Sequence, residues 1–145
     1  MMGRSHFIYY FKFYPTISKQ YLEYCFHSGI PETPHIIGLP AEIHSDEVVI
    51  KWTTPSSNGA DITQYTVYIR NVTNSDTVGD WKKLEIIYDV SIYAYVVTLR
   101  KGQQYDLVVT ATNEYGESWK EKNNIKRIRV LEGTITTKYK LFTGF

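Results

Sequence analysis

The 145 residues are 43% hydrophobic and 21% charged, a balance that packs one ordinary domain and excludes wholesale disorder. The net charge of +1 excludes the strongly basic balance of a nucleic-acid binder, and no apolar run reaches the roughly 18 residues of a membrane-spanning helix. A single cysteine, Cys25, excludes an internal disulfide.

Residues 1–30 read as an appendage of unknown role. "HFIYYFKFYP" is apolar for only five residues before Lys12, and no small-residue cleavage site follows, so it makes a poor secretory signal. "SKQYLEYCF" has the spacing of a short helix capped by Ser18, with Tyr21, Leu22, Cys25 and Phe26 on one side; Phe7–Phe11 reads equally as a strand. Cys25 and His27 supply two ligand types where zinc takes three or four, so Cys25 is read as a spectator thiol.

From Pro31 short alternating runs follow one another, separated by turn residues. After a first strand comes "HSD" (44–46), read as a polar bend. "EVVIKW" then puts Val48, Ile50 and Trp52 on one face and Glu47, Val49 and Lys51 on the other. "TPSSNGAD" is a loop, since Pro55 restricts φ and Asn58-Gly59 tolerates positive φ. "ITQYTVYIR" alternates through Tyr65, Val67 and Ile69; "NSDTVGD" turns the chain; "WKKLEII" and "YAYVVTL" are the fourth and fifth strands. "KGQQYDLVVTATNEYGES" sends Tyr105, Leu107, Val109 and Ala111 one way and Asp106, Val108, Thr110 and Thr112 the other. "IKRIRV" is the last strand, with Ile128 and Val130 as its inward pair. Residues 132–145 alternate again through Ile135, Thr137, Tyr139 and Leu141 and are assigned to a tail or linker.

Seven strands in about a hundred residues, without cysteines, predict an all-β, immunoglobulin-like, two-sheet antiparallel β-sandwich. Within it, Trp52, Tyr65-x-Val67, Leu99-x-x-Gly102-x-x-Tyr105 and Val109-x-Ala111-x-Asn113-x-x-Gly116-x-Ser118 stand in an order and spacing that resembles a fibronectin type III domain over 31–131. The resemblance implies that Tyr105 is the family's tyrosine corner, with its hydroxyl bonded to upstream backbone. It also implies an apolar inward residue three before Leu99, at Val96. Strict alternation back from Leu99 selects Val97 and Tyr95 instead, so the facing of residues 93–99 is left open.

Chemistry-bearing patterns are sparse. His6, His27, His35 and His44 form no H-E-x-x-H arrangement, no glycine-rich phosphate loop is present, and adjacent His44-Ser45-Asp46 lack the geometry of a base over a nucleophile. Neither catalysis nor a cofactor or metal is expected. Lys120, Lys122, Lys126, Arg127 and Arg129 crowd the last strand and its approach; a glycosaminoglycan or phosphate surface is one reading, and the stronger is that, where the family has a sheet edge, they discourage added strands. Asn71-Val72-Thr73 is an N-glycosylation acceptor in a predicted turn. No Arg-Gly-Asp and no Trp-Ser-x-Trp-Ser occurs.

The resemblance implies a non-catalytic binding or spacer module with neighbouring modules in the same chain and a protein partner. The first reading is an extracellular module of a receptor or adhesion protein; the alternative is an intracellular spacer of the giant muscle-filament (titin- or twitchin-like) type. The expected partner surface is Tyr68, Trp81 and Val108 on the outer side of adjacent strands, rimmed by Arg70 and Asp106. The rival surface is the loop tips 56–61 and 113–117.

Overall fold

The computed structural model describes residues 29–133. The helix or strand expected within residues 1–28, the Cys25–His27 pair and the alternation over 135–141 lie outside them. The strands are β1 (Ile36–Ile37), β2 (Glu42–Ile43), β3 (Glu47–Trp52), β4 (Gln64–Val72), β5 (Lys82–Ile87), β6 (Ala94–Thr98), β7 (Gln104–Asn113), β8 (Gly116–Glu117) and β9 (Lys126–Val130). The smaller sheet runs β1-β3-β6; the larger runs β2-β9-β7-β4-β5, with β8 folded back on β7.

The two-sheet fold follows from alternation. Val48, Ile50 and Trp52 of β3 point inward and meet Tyr65, Val67, Ile69, Leu107, Val109, Ala111, Ile128 and Val130 from the facing sheet. Trp52 is 2% exposed and its ring lies 5.6 Å from that of Tyr65, so the indole bridges the two layers. Alternation also settles β6: Tyr95 and Val97 pack against the core while Val96 is 53% exposed. The family's spacing is the wrong guide at this position.

The first strand departs from the expected pattern. Gly38 takes φ 64, which a side chain disfavours, and there the strand breaks and changes sheets. Its first piece, β1, pairs antiparallel with β3; its second, β2, pairs parallel with β9, at Glu42↔Arg129 and Ile43↔Val130. Among the described residues there are therefore nine strand segments rather than seven, and one parallel pair rather than none. By the same token β9 is not the open edge that the resemblance implied, since β2 pairs with Arg129 and Val130 at its C-terminal end. The bend at 44–46 is polar as expected, and Ser45 Oγ accepts the Glu47 amide at 3.1 Å.

Where β6 crosses to β7, Leu99 is buried and the Tyr105 hydroxyl accepts the Arg100 amide at 3.2 Å. Gly102 sits between them at φ 76, and a Cβ there would meet Glu132 Oε1 at 2.6 Å. This is the bond to upstream backbone that the resemblance implies for Tyr105. Tyr105→Phe strips the acceptor from one partly exposed amide; the expected cost is about 1 kcal/mol, the low end of the range for an orphaned backbone donor, with the fold retained. An unchanged denaturation midpoint would remove the corner from the account.

Chain direction matters for function. Gly29 amide donates to Asn58 O at 2.9 Å, and Asn113 Nδ2 donates to Gly29 O at 2.8 Å, so the chain comes in beside the C-terminal end of β7. Gly102 amide donates to Val130 O at 2.7 Å, and Gln104 pairs with Arg129, so it leaves beside the N-terminal end. Nine strand steps separate Gln104 from Asn113, about 30 Å at roughly 3.3 Å each.

Candidate functional site

The outer face of the larger sheet is built by register. Tyr68 lies opposite Val108, Arg70 opposite Asp106, and Asp106 opposite Arg127, so one row crosses three strands. In that row the Asp106 carboxylate, 1% exposed, is held from both sides. Arg70 Nη2 reaches Oδ2 at 2.9 Å, and Arg127 Nε reaches Oδ1 at 2.8 Å. Arg127 continues outward to Asp76 at 3.0 Å. Burial alone raises the Asp106 carboxyl, but the hydrogen bonds and charges of Arg127 and Arg70 outweigh it and hold the group below the usual carboxylate range.

Aromatic rings cap the cations. The Arg70 guanidinium carbon stands 4.4 Å from the Trp81 ring centroid, and Lys120 Nζ stands 3.9 Å from that of Tyr68. The Tyr68 hydroxyl donates to Glu117 Oε1 at 2.7 Å, and Thr110 Oγ1 donates to the same oxygen. Burial, then the Glu117 hydrogen bond and charge, push the Tyr68 phenol up to about 12.

The expected aromatic patch is therefore only partly a surface. Arg70 and Trp81 are half-buried and reachable, whereas Tyr68 is 8% exposed and Val108 has no exposure at all. A wide sheet lets long side chains from flanking segments lie across its middle strands, their apolar stems covering what alternation alone leaves outward. Asp106 is likewise a buried structural charge rather than a rim residue.

The loop tips are tied down as well. Asn113, 4% exposed, donates to Gly29 O and Ser57 O and accepts the Tyr115 amide; Asn58 donates to Ile30 O at 2.8 Å. Gly116 has φ 135, and a Cβ there would meet Ile30 Cγ2 at 3.3 Å. Sequence reading missed Asn124, whose buried amide donates to Thr33 O and Pro34 O. Three asparagines thus lock the incoming segment to the sandwich. Asn71 is exposed at the end of β4, within the strand rather than in the turn that follows. Among the described residues, no three His, Cys, Asp or Glu side chains group as metal ligands would.

Comparison with known proteins places these features. The family description "Fibronectin type III domain" matches residues 32–128. No curated protein sequence matches the chain. Similar solved structures include the twitchin kinase region from C. elegans, with TM-score 0.53 and 22% identity over 72% of this chain and 17% of that one. A human fourth FNIII domain has TM-score 0.53 and 22% identity over 74% of this chain and 82% of that one. The FN5 domain of Drosophila Lar has TM-score 0.48 and 16% identity over 73% and 99%. This chain spans a small fraction of the twitchin region.

Proposed function

The chain belongs to the fibronectin type III family, and from that premise we propose that it is a non-catalytic protein-binding and spacer module of a cell-surface receptor or cell-adhesion protein, on the extracellular side. One observation carries the spacer role: the chain comes in at the Asn113 end of β7 and leaves at the Gln104 end, as a unit strung in line with neighbours requires. The three asparagine staples support it, because they fix the incoming segment against the body that any pull along the chain would load. The exposed Asn71 and Thr73 of the acceptor sequence support the extracellular side. For the partner, the reachable surface is Trp81 with Arg70 stacked on it, an aromatic and a guanidinium of the kind that anchor interfaces.

The test is the full-length transcript that encodes this chain. A signal peptide, a membrane-spanning segment and further modules between them are expected. A long cytosolic tandem array instead would overturn the receptor reading and assign the module to an intracellular filament.

A further inference from the structure

The outer face of the smaller sheet carries an aliphatic patch that the proposed role does not use. Val49 of β3 and Val96 of β6 stand directly opposite one another in register, 45% and 53% exposed, and Ile37 of β1, 47% exposed, stands opposite Lys51. Along β3 the outward residues are Glu47, Val49 and Lys51, all exposed. Their order is charge, apolar, opposite charge, with Val49 at the centre.

That order is self-complementary. A two-fold axis along the Val49–Val96 row brings a second copy face to face with its β3 running the other way. Val49 then meets Val49 and Val96 meets Val96, while each Glu47 faces the other copy's Lys51. Thr98, opposite Glu47, faces Ala94, opposite Lys51, so the flanking strand adds no clash of charge. Such an isologous contact makes the off-axis Glu47–Lys51 pair twice, and face-to-face sheets stack at about 10 Å, within reach of the Glu and Lys side chains. We propose that this face associates with the same face of a second copy of this chain.

A face of three short strands is smaller than a standard interface, so the association is a weak one that tethering to a shared surface would strengthen. The test is sedimentation equilibrium of the full chain from about 1 μM to about 1 mM, the range of weak contacts. The mass is expected to rise from 16.9 kDa toward twice that value. E47K and K51E each place like charges together twice and are expected to weaken self-association by roughly tenfold or more. An equimolar mixture of E47K with K51E restores opposite pairs and is expected to recover it. Both positions are exposed, and unchanged near-ultraviolet circular dichroism will show the variants folded. A chain that stays at 16.9 kDa throughout overturns the proposal, whether the face is then left to solvent or taken by another segment. So does E47K associating like the parent, or a mixture no better than either variant alone.

Discussion

Trp52→Ala is expected to lower the free energy of unfolding by about 3–5 kcal/mol, the cost of deleting a large buried aromatic with partial collapse of the cavity. A domain of this size has a total stability of roughly 5–15 kcal/mol, so the variant loses between about a fifth and all of it. The size of the effect comes from position. The indole is the bridge between sheets: its ring packs on Tyr65 from β4, and Tyr65 packs in turn on Tyr93 at 6.0 Å. Its Nε1 is buried without a partner among the described residues. Trp52→Phe therefore sacrifices volume but no hydrogen bond, and its cost should be well under that of alanine. Urea unfolding decides the matter, through a lower midpoint at an unchanged slope. An alanine variant within about 1 kcal/mol of the parent would contradict the burial of Trp52.

Asp106→Asn is the second large effect. The carboxylate is fully buried while both arginine heads reach solvent, so the loss should fall near the low end of the roughly 3–5 kcal/mol seen when one member of a buried ion pair is removed. The asparagine keeps the shape but turns an NH2 group toward two guanidiniums that can only donate. The pH dependence separates charge from packing. Because the folded carboxyl lies below its unfolded value, its stabilisation is present above about pH 4 and is lost as pH falls through the folded value. The stability difference between parent and Asp106→Asn should hence shrink on acidification below pH 4. A difference that stays constant from neutral to acid pH would show that Asp106 acts through packing alone.

Much of this fold was legible because β-strands have a period of two and most of these strands obey it. Trp52, Tyr65, Leu107 and Val109 fall inward wherever their neighbours fall outward, and Leu99, Gly102 and Tyr105 mark the crossover by spacing. What escaped sequence reading shares a physical cause. β1, β2 and β8 are two residues each, too short for any periodicity, and they exist because partner strands offer free backbone groups. The burial of Tyr68 and Val108 escaped too. In sequence the side chains bonded or stacked along that face, Glu117, Lys120 and Arg127, stand far from the residues they serve. Asn113 stood out by its place in the signature and Asn58 as a turn residue, but only their long-range carbonyl partners, like those of the overlooked Asn124, reveal that they hold the incoming segment. Alternation with Val48, Ile50 and Trp52 placed Val49 outward, whereas Val96 stayed open because the family spacing and strict alternation selected different residues of its strand.

The central claim is geometric: the chain passes through this sandwich end to end. Pulsed electron resonance between spin labels on Glu32→Cys and Glu132→Cys, in a Cys25→Ser background, tests it most directly. Glu32 donates its amide to Ser56 O at one pole, and Glu132 lies beside Gly102 at the other. The expected result is one narrow distribution centred at about 30 Å or more, set by the nine strand steps of β7. A distribution centred at half that distance would bring both ends of the domain to one pole, and the in-line module would be contradicted.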